Sequence, residues 1–170
     1  PLEQENLSID DTAKCLASLV LLENCQMDKL LSIFIQTRTK TFLKSIENEN
    51  YANVKEKLQL SVKILLNTVE IIHECFISHN DSDKGLLLKK LETVSEAPTL
   101  SLLQYKSSGI FQTLPDIIAK YKPQFHLNPM LKEGISSAIN NWLQSIDGIA
   151  RNQLKSLIDF IVSIKTIQDL

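Results

Sequence analysis

The chain has 170 residues, 44% of them hydrophobic, with 18 basic residues against 20 acidic ones and a formal net charge of -2. This apolar content excludes a disordered chain and is enough for one sizeable core, while the balanced charge excludes a polyanion-binding footprint or an acidic tail. Only four glycines and five prolines interrupt it, which favours long helices, and residues 1–170 read as a single helical-bundle domain.

After a polar start, Asp10 and Asp11 precede Ala13, Leu16, Ala17, Val20 and Leu21. Their three- and four-residue spacings predict one helical face, with acidic residues at the positive end of the helix dipole. The pattern lapses at Glu23-Asn24-Cys25-Gln26, a connection short enough to make the next helix an antiparallel neighbour. That helix is expected from Met27 to about Ile46, with Leu30, Leu31, Phe34, Phe42 and Ile46 on or near one face and Arg38, Lys40 and Lys44 elsewhere. Thr37, Thr39 and Thr41 have mediocre helix propensity, so burial of the apolar face must hold this segment.

A third helix carries the cleanest stripe: Val54, Leu58, Val62, Leu65, Val69, Ile72 and Phe76, widened by Leu60, Ile64 and Ile71. So broad an apolar face implies more than one packing neighbour. Residues 80–85 read as a polar loop. Leu86, Leu87, Leu91 and Val94 then predict a shorter helix that ends before Pro98, and residues 99–109 permit a helical turn or an extended stretch. Leu114-Pro115 starts another short helix through Ile117, Ile118 and Tyr121, closed by Pro123, and residues 122–128 read as a second loop.

Asn128-Pro129 supplies an N-cap candidate and a proline at the first helical position. From there Ile135, Ile139, Trp142, Ile146, Ile149, Leu157, Phe160, Ile164 and Ile167 recur at helical spacing, beside a second row of Leu143, Ala150, Leu154, Ile158 and Ile161. At 1.5 Å per residue this helix is about 60 Å long. The stripe drifts instead of keeping a strict heptad, which favours a bundle over a two-stranded coiled coil. The expected fold is therefore all-α, an elongated antiparallel helical bundle, or rod, ending in a long C-terminal helix. A chain that starts at Pro1 and carries this stripe to its last residue reads as an excerpt from a longer one.

Chemistry-bearing residues are sparse. His73, Cys75 and His79 form the one metal-like cluster, but His73 and Cys75 diverge by about 200° on a helix, and no second cluster offers further ligands. His126 reads as a local hydrogen-bonding residue between two prolines. No Gly-x-Ser-x-Gly elbow occurs, and Lys106-Ser107-Ser108-Gly109 lacks the lead of a phosphate-binding loop. Cys15, Cys25 and Cys75, odd in number and widely spaced, read as reduced thiols. Lys84, Lys89 and Lys90, like Lys120 and Lys122, read as solvated helix faces. No apolar run reaches the roughly 18 to 20 residues needed to span a bilayer. No catalytic, cofactor-binding or metal-binding residue is assigned. The one candidate interface residue is Trp142, the only tryptophan, read as core or as an anchor at a helix-bundle or subunit interface.

The joint order of four segments resembles a known family. Leu16-Ala17-Ser18-Leu19-Val20-Leu21-Leu22-Glu23, Leu30 to Arg38 as LLSIFIQTR, Leu114-Pro115-Asp116-Ile117-Ile118 followed by Pro123, and Asn141-Trp142-Leu143 in a long terminal helix are together similar to the middle of the first subunit of the conserved oligomeric Golgi (COG) complex. The resemblance covers most of the chain, weakly from Asn80 to Gly109, and departs from the family at Cys25-Gln26-Met27, which carries no proline. It implies a non-catalytic subunit of a multisubunit vesicle tether built of helical rods. The implied setting is peripheral, at the cytosolic face of the Golgi membrane, in intra-Golgi retrograde transport. Implied partners are the other tether-complex subunits and, more distantly, SNAREs, Rab GTPases and coat proteins, with no nucleic acid and no cofactor. These motifs are packing patterns, so no site residue is carried over. From the residues alone, an unrelated helical scaffold or adaptor for protein–protein interaction remains the alternative.

Overall fold

The computed structural model describes residues 2–23, 25–47, 54–78, 84–96 and 129–168, and among these there is no strand. The expected short helix at Pro115, the segment 99–109, the loop 122–128 and most of the loop 80–85 lie outside the described residues. Helix α1 spans Ile9–Glu23. Ser8 caps it: its hydroxyl accepts from the Asp11 amide at 3.4 Å, and its carbonyl accepts from the Thr12 amide at 3.0 Å. Its inward residues, Thr12, Ala13, Leu16, Ala17 and Val20, lie three or four apart as the pattern requires. Helix α2 spans Met27–Glu47 and α3 spans Val54–Ile72. They run antiparallel, since Arg38 meets Thr68 while Ser45, further along α2, meets Ser61, earlier on α3.

At its end α3 widens into a π-helical turn, His73–Ile77, closed by the Ser78 amide on the His73 carbonyl at 3.0 Å. This turn buries Cys75, Phe76 and Ile77. Helix α4, Leu86–Glu96, follows and packs on α1 and on the π turn. Gly85 at its start is a point of close approach. A Cβ there would lie 2.2 Å from the Cys75 carbonyl oxygen and 2.9 Å from the Phe76 carbonyl carbon. Because both neighbours are backbone, Gly85→Ala is expected to destabilise the chain by about 2 kcal/mol or more, read from a chemical-denaturation midpoint.

The last helix, α5, spans Pro129–Gln168, 40 residues with Pro129 at its first position. It runs parallel to α2: Trp142 reaches Thr39, and earlier on both helices Ile135 and Ala138 share a groove with Leu31 and Ile35. One core cluster gathers α1, the first half of α2, the π turn and α4, with Leu2, Leu7 and Ile135. A second forms where α2, α3 and α5 meet, around Phe42, Ile64, Trp142 and Ile146, and Ile35 packs against both clusters. Gly148 on α5 is exposed, and a Cβ there meets nothing within 4 Å. Gly148→Ala is therefore expected to raise stability by about 1 kcal/mol, seen as a higher thermal midpoint.

Candidate functional site

The inward face of α2 repeats at helical spacing through Met27, Leu31, Phe34, Arg38, Thr41 and Ser45. The second half of this row is thus polar, beside the buried Phe42, and the structure corrects the sequence pattern that had placed Arg38 off the inward face. Arg38 is 0% exposed. Its Nε donates to Thr68 Oγ1 at 2.9 Å, Nη1 donates to the Gln4 carbonyl, and Nη2 donates to the carbonyls of Glu5 at 3.2 Å and Ile64 at 3.5 Å. Burial pushes its pKa down to about 10, so the guanidinium remains charged at neutral pH. Every partner is a neutral oxygen. An ionic group is tolerated in this interior because its planar fork of donors is saturated by carbonyl and hydroxyl dipoles.

The seam continues at Ser45 and Ser61, both buried, whose hydroxyls lie 2.9 Å apart. Thr68 also donates to the Ile64 carbonyl at 2.6 Å. The threonine run uses the same economy, with Thr37 and Thr39 donating at 2.9 Å to the carbonyls of Ile33 and Ile35. Among the described residues no buried side-chain nitrogen or oxygen lacks a hydrogen-bond partner. A complete polar network fixes one alignment of two helices, because slippage strands its members.

This seam also sets the rotation of α3. Ser61, Ile64, Thr68, Ile71 and Ile72 face inward, while Leu58, Val62 and Leu66 are 40%, 53% and 67% exposed. Of the expected stripe, Leu58 and Val62 are therefore turned outward, Leu65 and Val69 pack half-buried against the second cluster, and Ile72 and Phe76 are buried beside Ile64 and Ile71, two of the residues read as widening it. Polar partners for Arg38 and Ser45 determine the rotation at the expense of apolar area. The outcome is a row of three large apolar side chains, four residues apart on one face of α3. Exposed Lys55 and Lys63 lie on the same helix.

Beneath the seam, residues 2–7 form a strap of turns and bends across α2 and α3. Besides the two carbonyls on Arg38, the Glu3 carbonyl lies 3.4 Å from Thr41 Oγ1. Asn67 on α3 clamps Leu7: its Oδ1 accepts from the Leu7 amide and its Nδ2 donates to the Leu7 carbonyl, both at 3.1 Å. Leu2 and Leu7 are buried in the first core cluster, and Gln4, Glu5 and Asn6 between them are exposed.

Trp142 is 6% exposed and donates from Nε1 to Thr39 Oγ1 at 2.9 Å, joining α5 to α2 within the second cluster. His73 is half-exposed and 3.4 Å from Glu74, whereas Cys75 is buried and His79 lies outside the described residues. Among the described residues no group of three or more histidine, cysteine or acidic side chains is placed to hold a metal. The three cysteines are free thiols. Burial, then the charges of Glu74 and Asp10, push the Cys75 thiol up to about 12, so it stays protonated and unreactive at neutral pH.

The lysines near α4 are engaged, Lys84 with Glu92 at 3.0 Å and Lys90 with Asp10 across to α1. Lys14 and then Lys90 hold the Asp10 carboxyl down at about 2. His126, Lys120, Lys122 and Lys106 to Gly109 lie outside the described residues. A groove of about 440 Å³ separates the first turns of α2 from the start of α5, with Asp28 the one ionisable residue in its lining. No described helix is long and apolar enough to cross a membrane.

No family model matches the chain, and no solved structure matches it significantly. Two curated relatives do, both called conserved oligomeric Golgi complex subunit 1. The Drosophila melanogaster protein is 28% identical over 99% of this chain and 19% of its own length. The human protein is 23% identical over 96% of this chain and 18% of its own length. The chain thus spans about a fifth of the length of the curated relatives it matches. In sequence, nearly end to end, it is similar to one segment of subunit 1 of the conserved oligomeric Golgi complex.

Proposed function

We propose that the chain is a non-catalytic helical segment of a Golgi tethering-complex subunit, a single rod-like domain that acts by binding other subunits. The observation that carries this reading is similarity along nearly the whole chain to subunit 1 from fly and human. The chemistry of the described residues suits it. Arg38, Asn67 and the buried hydroxyls are engaged in holding helices together.

The setting we infer is peripheral, on the cytosolic face of the Golgi membrane, in retrograde transport between its cisternae. Sibling subunits are the direct partners; SNAREs, Rab GTPases and coat proteins are partners of the assembled complex. Leu58, Val62 and Leu66 offer the face for a sibling helix, one with an apolar stripe of its own. Trp142 serves as the anchor that keeps α5 against α2 and so sets how the rod presents that face.

Affinity purification of the tagged protein from its own cells tests the reading. Co-purification of the remaining subunits of a tethering complex is expected. Recovery of a lone monomer would contradict it.

A further inference from the structure

The strap of residues 2–7 is held in the manner of a bound peptide. The groove between α2 and α3 contacts it through Arg38, Thr41 and Asn67, and each of these hydrogen bonds ends on the strap's main chain. Main-chain recognition is indifferent to the side chains of the segment recognised. Side-chain selection falls to Leu2 and Leu7, five residues apart and both buried. Beyond these, an exposed ion pair joins Glu3 to Lys44 at 3.5 Å. On the side facing α1 a cleft of about 250 Å³ lies between Leu2, Leu7 and the first turn of α1 at Asp11 and Thr12.

We propose that the α2–α3 groove is a peptide-binding site, occupied in cis by residues 2–7, and that its ligand class is a turn-forming peptide with two leucines five residues apart. Arg38 and Thr41 receive successive carbonyls, Asn67 clamps the amide unit at the second leucine, and the two leucines fill the adjoining apolar pockets. A partner segment of this type takes the groove when the strap leaves it. Exposed residues between two anchors mark the strap as a locally opening unit, while α2 and α3 remain joined by Ser45, Ser61, Phe42 and Ile64. The tethered strap competes at a millimolar effective concentration, so the site is closed to weak ligands while it is in place.

The test uses the whole chain with Leu2→Asp and Leu7→Asp, which frees the groove and leaves Arg38, Thr41 and Asn67 intact. A fluorescent synthetic peptide of residues 1–8 is titrated against this variant and against the unaltered chain. Binding to the variant at least tenfold tighter than to the unaltered chain is expected, together with loss of binding when both leucines of the peptide are replaced by aspartate. Equal binding to the two chains, or a folded variant that does not distinguish the peptide from its aspartate control, would overturn the proposal. If the variant does not fold, hydrogen exchange on the unaltered chain decides. A Leu7 amide exchanging at least a hundredfold faster than the Ile64 amide supports a detachable strap, and equal rates refute it.

Discussion

Arg38→Ala is expected to lower the unfolding free energy of the chain by about 3–5 kcal/mol, a large part of the stability of a domain this size. The substitution removes a fully buried side chain and strips donors from the Gln4, Glu5 and Ile64 carbonyls and the Thr68 hydroxyl together. It unties α2 from two parts of the fold at once, since those acceptors belong to the strap and to α3. Two further variants separate packing from hydrogen bonding. Arg38→Met keeps the aliphatic stem and no donors, and Arg38→Lys keeps the charge on a single point that cannot span four acceptors. Both are expected to lose about 1–3 kcal/mol in urea unfolding. A methionine variant as stable as the unaltered chain would mean that the seam contributes alignment and not stability, as replacement of buried ionic groups sometimes reveals.

Trp142→Ala is expected to cost about 3–5 kcal/mol, through lost apolar burial, a cavity and the lost hydrogen bond to the Thr39 hydroxyl. Its effect is regional. Among the described residues of α5, Trp142 and Ile146 are buried in the second cluster and Ile135 in the first. Hydrogen exchange should therefore show α5 losing protection across residues 135–150 while α1 and α4, which pack on each other, retain theirs. Trp142→Phe keeps most of the ring area and loses the Nε1 donor, so an intermediate loss of about 1–2 kcal/mol is expected. Uniform loss of protection across all helices would instead make α5 part of one cooperative unit.

How far the fold follows from sequence pattern differs from helix to helix, and the differences have physical causes. Helix α1 is an amphipathic helix with a solvated back, so its periodicity alone names its buried face. Helix α5 follows likewise from a long stripe behind a proline start. On α3 the apolar residues span more than one face, and the choice between faces depends on what α2 presents. Arg38 decides it, and an arginine in a helical pattern gives no local sign that four neutral acceptors await it in the fold.

Gly85 was equally hidden, because its constraint is the distance to the Cys75 backbone across the π turn. The parallel run of α2 and α5 depends on chain paths between them, which helical periodicity does not encode. For the candidate site, the lone tryptophan stood out by composition. Leu58 and Val62 belong to the apolar stripe legible in the sequence, Leu66 does not, and the outward direction of the three follows only from the polar seam behind them. The strap carried no sequence signal beyond two leucines, since its recognition runs through main-chain atoms.

Capture of sibling subunits by the isolated 170-residue chain, with and without Leu58→Asp, Val62→Asp and Leu66→Asp together, bears most directly on the role assigned to this segment. These side chains are exposed, so the triple variant should keep its cooperative thermal transition. The unaltered chain should retain at least one subunit from a purified tethering complex depleted of its own first subunit, and the triple variant should retain at least tenfold less. Failure of the unaltered chain to retain any subunit, or equal retention by the folded triple variant, would contradict a segment that works through this face of α3.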